Sequence, residues 1–323
     1  MTQASARITA KDLTYGIEIE CGITPTSTLR VGGRRAGLAT TELPMFCGQP
    51  WKAEHDGSVS VGNLQPVEFV SPVLQGASGL DNIREVCTKI ARMGGKVNET
   101  CGLHVHVAFP TDSIDAMRRL TRLFSRVEAG IFASTGTPAR RANFYCKPIK
   151  ESAKTIRWAG LSIASESQKN DVRYTRNSLL SDRYHALNFQ NLLTSRQNTV
   201  EFRAFSGSLS PRKIAAWIKI CLTLVEMALD GKDAGFEVSA RTMNFTPQGV
   251  APQTTGEHAA GYLTYFLWKA PQKTKVKYGE LDHPEYTTKD AIKVIEILAT
   301  RHDIRAGLRP SGHAVATPLP DGE

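Results

Sequence analysis

No Cys-x-x-Cys pair occurs in this 323-residue chain, and its six cysteines are widely scattered. That argues against a disulfide scaffold and for reduced, cytoplasmic thiols. The first residues, Met1 to Arg7, have no apolar stretch of the kind a secretory signal needs. No run is long and apolar enough for a bilayer: the best, Ile214 to Leu229, is interrupted by Lys219 and Glu226. There is no internal repeat. Neither Gly-x-x-x-x-Gly-Lys-Ser/Thr nor Gly-x-Gly-x-x-Gly in a strand-to-helix setting is present. A bound nucleotide would therefore need metals and arginines to hold its phosphates.

What is present begins with ordinary globular values, 41% hydrophobic and 22% charged. The length fits one large domain or two small ones. Forty basic residues against 31 acidic ones give a net charge of +9. That favours anionic ligands such as nucleotides, acidic metabolites or cell-wall polymer, and admits nucleic acid without pointing to it.

The stretch from Tyr15 to Ile23 alternates β-branched and acidic residues and is expected to be a strand. Glu18 and Glu20 then share a face, roughly 6.5–7 Å apart, while Ile17, Ile19 and Cys21 take the other. Carboxylates in a partly buried sheet are costly without counter-charge, so a cationic partner is expected over them. Three further strands carry comparable groups. Val67 to Val70 presents Glu68, Cys101 to Phe109 presents His104 and His106, and Asn198 to Phe205 presents Glu201 and Arg203. Arg183 to Phe189 also reads as a strand, and Asp56-Gly57 as a turn.

Helices are expected over Ser78 to Met93 with Gly94-Gly95 as its stop, and after Asp112 as an N-cap. The second helix has Arg118, Arg119, Arg122 and Arg126 opposite its apolar stripe, a face expected to be solvated or to meet an acidic partner. Ser210-Pro211 is expected to open a largely buried helix over Ile214 to Leu229. Gly256 to Trp268 and Thr288 to Thr300 have helical spacing. Thr24 to Gly37, with Arg30, Arg34 and Arg35, reads as a loop. Ser134 to Asp182 is basic and irregular, with Arg140, Arg141, Tyr145, Lys147, Lys150, Lys154, Arg157 and Arg173, and is as readily substrate-facing as plain surface.

Each polar motif alone is weak: a strand His-x-His or Glu-x-Glu is more often structural. Gathered together, like carboxylate pairs would cost on the order of 4 kcal/mol each at roughly 4 Å and a dielectric of about 20. Divalent cations remove that cost. Oxygen-rich ligands with an imidazole suit Mg²⁺ or Mn²⁺ better than zinc. Arg203 beside them would be a fixed cation for a transferring phosphoryl group.

The ordered set Gly-x-Glu-x-Glu, Asp-Gly-Ser, Glu-Phe-Val-Ser-Pro, Gly-Leu-His-Val-His, Arg-Tyr-x-Ala-Leu-Asn and Glu-Phe-Arg resembles the amidoligases. These are carboxylate–amine ligases related to glutamine synthetase and glutamate–cysteine ligase. The resemblance covers Tyr15 to Leu229. It implies an α+β fold, a curved antiparallel sheet forming a partial barrel backed by helices, with a glutamine-synthetase-like catalytic site. It implies metal binding by Glu18, Glu20, Glu68, His104 and Glu201, and an acidic catalytic position at Asp56. It places His106 near the nucleotide, Arg203 on the phosphates, and Arg183 and Asn188 in the motif before it. ATP and Mg²⁺ (or Mn²⁺) are the implied cofactors. A small or polymer-linked carboxylate and an amine are the implied substrates, joined through an acyl phosphate. The expected organisation is a catalytic domain over 1–235, a helical extension over 236–306 packed on it, and a flexible tail over 307–323. Two other readings stand beside it: a zinc hydrolase using His104 and His106, and a non-catalytic basic binding protein.

Overall fold

The computed structural model describes residues 6–25, 29–33, 37–149, 152, 155, 158, 159, 183–194, 197–234, 255–269 and 276–308. Of the basic residues singled out above, Arg34, Arg35, Lys150, Lys154, Arg157 and Arg173 lie outside these, as does the tail from residue 309.

Alternating burial along Tyr15, Ile17 and Ile19 makes Thr14–Ile23 a central strand, β1. Around it lie β2 (Leu38–Ala39), β3 (Lys52–Glu54), β4 (Gln65–Val70), β5 (Leu74–Gln75), β6 (Gly102–Ala108), β7 (Leu187–Asn188) and β8 (Thr199–Ser206). The eight strands form one open sheet in the order β2-β3-β4-β1-β6-β8-β7, with β5 paired to the start of β1. Every strand pair is antiparallel. The α+β architecture implied by the motifs is thus present, with β1 at its centre.

One face of the sheet is apolar. Ile17, Ile19, Cys21, Phe69, Val105 and Phe202 are buried there, in the same core as helices α1 (Gly76–Arg92), α2 (Ile114–Ala133) and α4 (Pro211–Leu229). Phe124 of α2 lies 5.9 Å from Phe202, and Trp217 of α4 stacks on Phe205 at 5.1 Å. Burying each such aromatic ring contributes about 1.5–3 kcal/mol.

Helix ends follow their local chemistry. Gly94, at φ +74°, and Gly95 donate to the carbonyls of Ala91 and Ile90 and close α1. Ser113, not Asp112, caps α2, its hydroxyl accepting from the Ala116 amide at 3.3 Å. Pro211 opens α4, but the Ser210 hydroxyl makes no capping bond. The charges interrupting that apolar run are internal. Lys219 Nζ donates to the Gly279 carbonyl at 3.0 Å, and Glu226 accepts from Arg7 at 2.6 Å and from the Gly279 amide at 2.7 Å.

The basic stripe of α2 is not a solvated face. Arg118 is buried, with its guanidinium over Trp158. Arg119 donates to the Ala228 carbonyl at 2.8 Å, and Arg122 to Asp233 and the Ala159 carbonyl. These arginines fasten α2 to the end of α4 and to its neighbouring segments. The strand in the 183–189 stretch is shorter than its pattern suggests: only Leu187–Asn188 form β7, His185 makes an isolated bridge to Lys147, and a single turn α3 (Gln190–Leu193) follows. Helix α5 (Gly256–Thr264), extended by a π-turn at Tyr265–Lys269, and α6 (Thr288–Arg305) pack against α2, α4 and each other. The buried Asp303 carboxylate of α6 accepts from the Gly256 and Glu257 amides and pins the start of α5. Among the described residues, no helix is long and apolar enough to cross a membrane.

Candidate active site

The other sheet face is polar, and strand register decides which side chains meet there. Glu54 of β3 stands opposite Glu68 of β4, which stands opposite Glu20 of β1. One step along, Glu18 stands opposite His104 of β6. One step further, His106 stands opposite Glu201 of β8, which faces Asn188 of β7. Five strands, β3, β4, β1, β6 and β8, therefore present one contiguous set of carboxylates and imidazoles.

Side-chain geometry binds the set together. His104 Nδ1 lies 2.7 Å from Glu18 Oε2, 3.7 Å from Glu201 Oε1 and 3.9 Å from Glu68 Oε1. Its Nε2 lies 3.4 Å from Glu20 Oε1. His106 Nε2 reaches Glu18 Oε1 at 3.1 Å. The Gly102 amide donates to Glu20 Oε2 at 2.6 Å, and Asn188 Nδ2 to Glu201 Oε2 at 2.8 Å. Arg203 pairs with Glu201 and donates through Nε to the Tyr145 carbonyl at 3.1 Å. Asp56 sits in a tight turn, accepting from the amide and hydroxyl of Ser58, both at 2.7 Å.

A bulge shapes the Arg203 end. Leu103 pairs with Phe205 and Val105 with Phe202, so β8 advances three residues while β6 advances two. The extra residue falls at Arg203–Ala204, opposite His104. It explains why Ala204 and Phe205 are both buried, against strict alternation.

The electrostatics are uneven. Burial raises the Glu68 carboxyl, and Glu18, Glu54, Glu20 and Asp56 raise it further, well above the ordinary carboxylate range. For Glu18 burial also opposes charge, but His106 and the hydrogen bonds from both histidines outweigh it and hold the group well below that range. Burial likewise opposes charge on His106, yet Glu18 and Glu201 lift it to about 9. Glu201 is lowered despite burial, chiefly by Arg203. Arg203 itself is raised despite burial, chiefly by Glu201.

Three subsets have ligand atoms within 4.8 Å of one another: Glu18/Glu68/His104, Glu18/His106/Glu201 and Glu20/Asp56/Glu68. The donors fit a hard divalent cation: carboxylates predominate, with one imidazole at most per subset. The raised Glu68 carboxyl marks a like-charge cluster that such a cation would relieve. Among the described residues, none of the three subsets contains both His104 and His106.

All ten residues singled out from the motifs — Glu18, Glu20, Asp56, Glu68, His104, His106, Arg183, Asn188, Glu201 and Arg203 — line one cleft of about 220 Å³. Its walls differ in sign: Glu54, Asp56 and Glu68 on the β3–β4 side, Arg140, Arg183 and Arg203 on the β8 side. Arg183 sits beside Tyr184, donating to its hydroxyl at 3.1 Å. A second cleft of about 430 Å³ is lined by Tyr15, Gly16, Val70, Pro72, Val73 and Ala108, and shares Glu18 and His106 with the first.

Two charged cleft residues, among others of the lining, escaped or half-escaped the sequence reading. Glu54 was legible only through its β3 neighbours, since Ala53 alone of Lys52–Glu54 is buried. Arg140 was one of many cations in an irregular stretch, but it is buried and reaches the site, whereas Arg141 is exposed. Lys147 lies over the Phe144 ring at 4.1 Å and does not line the cleft.

An open antiparallel sheet carries helices on one face and, on the other, a carboxylate–imidazole array suited to a divalent cation beside a fixed arginine. The family described as "Putative amidoligase enzyme" matches residues 11–225, and the chain belongs to it. That span contains every residue of the array. Membership places the chain, at a coarse level, among carboxylate–amine ligases. No curated protein matches it. Among the similar solved structures are these two. The "GmaS/ADP complex-Conformation 1" structure is 9% identical, with 91% of this chain and 69% of that chain covered, at a TM-score of 0.40. The "novel glutamine synthase homolog" is 12% identical, with 94% and 68% covered, at a TM-score of 0.32.

Proposed function

We propose that this chain is an ATP-dependent ligase that joins a carboxylate to an amine through an acyl phosphate. The observation that carries the reading is the convergence of Glu18, Glu20, Glu68, His104 and Glu201 on one sheet face beside Arg203. Family membership supports it.

Mg²⁺ or Mn²⁺ would be held by the three carboxylate-rich subsets, including Asp56 and His106, and would supply charge neutralisation for phosphates and the substrate carboxylate. The remaining roles belong to protein groups. The second cleft, larger and less polar, suits a nucleotide base, with the phosphates directed through Glu18 and His106 toward the first. A substrate carboxylate oxygen attacks the γ-phosphorus, the bond to the β-phosphate oxygen breaks, and ADP leaves. Arg203, locked by Glu201 and the Tyr145 carbonyl, faces the charge that develops on the transferred phosphoryl. The amine nitrogen then attacks the acyl carbon, phosphate leaves, and the nitrogen loses a proton to form the amide. Arg183 on the β8 wall is positioned to orient an anionic substrate, which the opposite, acidic wall would repel. Asn188 fixes Glu201 from the far side.

The test is to trap the activated carboxylate. With Mg²⁺, ATP, hydroxylamine and a panel of amino acids, peptides and dicarboxylates, the purified protein should release ADP and form a hydroxamate with at least one carboxylate. Release of ADP independent of every carboxylate, with no hydroxamate, would refute the acyl-phosphate route.

A further inference from the structure

Arg140 is a charged side chain in an unusual place. It lies in a turn of 3₁₀ helix, Pro138–Arg140, between α2 and the cleft, and is 2% exposed. Its guanidinium donates twice to one backbone oxygen: Nη2 to the Arg203 carbonyl at 2.7 Å and Nε to the same carbonyl at 3.2 Å. That carbonyl belongs to the bulged segment of β8. Arg203's other anchors are the Glu201 carboxylate and the Tyr145 carbonyl for its side chain and the Ala186 carbonyl for its amide, at 2.8 Å.

The guanidinium also rests against Gly102. A Cβ at that position would lie 2.5 Å from Arg140 Nη2, 2.8 Å from Nη1 and 2.9 Å from Cζ. No side chain is compatible with the arginine as placed. Gly102 is also the residue whose amide donates to Glu20 Oε2 at 2.6 Å. Arg140 is thus wedged between the backbone that holds Glu20 and the backbone that carries Arg203. A planar five-donor group can bridge these positions; a point-charge ammonium on a flexible stem cannot hold one carbonyl through two donors.

We propose that Arg140, seated on Gly102, is a positioning residue that sets the β8 bulge and aims the Arg203 guanidinium into the cleft. Its catalytic meaning rests on the ligase reading above; its mechanical meaning does not. Arg140 acts through Arg203, so disturbing it should change what Arg203 does without removing any cation ligand.

Two measurements test this on the full-length protein. The first needs no substrate. Arg203 Nε–H donates to a backbone carbonyl, so its side-chain ¹⁵N–¹H signal should be shifted and resolved in the wild type. In Arg140→Lys and in Gly102→Ala that signal should collapse into the envelope of exposed arginines, while a variant at exposed Arg141 leaves it in place. The second measures binding of Mg·ADP with and without aluminium fluoride, a mimic of the transferring phosphoryl. Arg140→Lys should keep Mg·ADP affinity within about twofold and lose the extra affinity from the fluoride by about tenfold or more, as Arg203→Ala does. The double variant should lose no more than the worse single one, because the two act as a unit.

An unmoved Arg203 signal in both folded variants overturns the proposal. So does a fluoride effect equal to wild type in Arg140→Lys. Absence of Mg·ADP binding in the wild type would instead refute the ligase reading, and the Arg203 signal would then decide the positioning role alone. Should Gly102→Ala not fold, Arg140→Lys, which keeps charge and most of the volume, carries the same test.

Discussion

Glu18 stands across from His104 in the β1–β6 ladder, and its Oε2 accepts from His104 Nδ1 at 2.7 Å. The same ring nitrogen is within 4 Å of Glu68 and Glu201. Nδ1 therefore sits where three carboxylates converge, and a metal ion taking that nitrogen must replace its contact with Glu18. Cation binding at this site should release the proton favoured by the raised Glu68 carboxyl and rearrange the bond between His104 and Glu18.

Shared ligands give the first prediction. Glu18 belongs to two candidate subsets and Glu20 to one. Glu18→Gln should lower the number of Mn²⁺ ions bound, counted by electron paramagnetic resonance, by more than Glu20→Gln does. Equal losses would contradict the assignment of ligands.

Charge crowding gives the second. The folded-state pKa of Glu68 is raised above 4.5, so the native state holds that proton more tightly than the unfolded chain. Stability from this group is greatest at low pH and falls as pH rises from 4.5 through the raised value. Glu68→Gln should therefore melt about 2–4 °C higher than wild type at pH 8 in chelator, with the gain vanishing near pH 4. Added Mg²⁺ should reverse the order, since the wild type keeps its ligand. A lower melting temperature in chelator at pH 8 would contradict the crowding.

A third concerns Arg203. Arg203→Ala should leave the fold intact, because Asn188 still donates to Glu201, and should cut ADP formation by about 10²–10³-fold. The checks are circular dichroism and an ADP-release assay on the same preparation. Unchanged ADP formation would remove its role on the phosphoryl group.

The arginine stripe of α2 supplies the fourth. Arg122 is tied to Asp233 and to the Ala159 carbonyl, so Arg122→Ala should cost about 1–3 kcal/mol in urea unfolding. Arg141→Ala, at an exposed site, should stay within about 0.5 kcal/mol. Equal and negligible effects would restore the solvated-face reading.

Lys219 gives the fifth. It is buried in α4, and burial lowers its pKa to about 8 from 10.5. Between those values the unfolded chain binds the proton more than the native one does, so this group's contribution to stability rises with pH from about 8 to 10.5. Wild type should gain stability relative to Lys219→Met across that window. Parallel curves would show that Lys219 stays charged in the fold.

Much of the site was legible because it rests on the shortest-range rule in proteins, the two-residue alternation of a strand. Glu18 with Glu20, His104 with His106 and Glu201 with Arg203 each declared a shared face, and burial of Ile17, Val105 and Phe202 confirms the opposite one. Neighbourhood was not legible in the same way. That Glu54 joins the row depends on register across β3–β4, and three residues of sequence carry little pattern. The fate of Arg118, Arg119 and Arg122 depended on what lies across from α2, which helical spacing cannot say. Arg140 was hidden for a related reason: its partners, Gly102 and Arg203, are 38 and 63 residues away, and its role needs the bulge, which breaks the alternation that made the rest readable.

The central claim is that Glu18, Glu20, Glu68, His104 and Glu201 gather divalent cations on one sheet face. Anomalous diffraction from crystals grown with Mn²⁺ and ADP tests it most directly. The account predicts anomalous peaks between Glu18, Glu68 and His104 and between Glu20, Asp56 and Glu68, with the ADP phosphates beside them. A fully occupied crystal with manganese only on other surfaces, and these carboxylates bound to lysine or arginine alone, would contradict it.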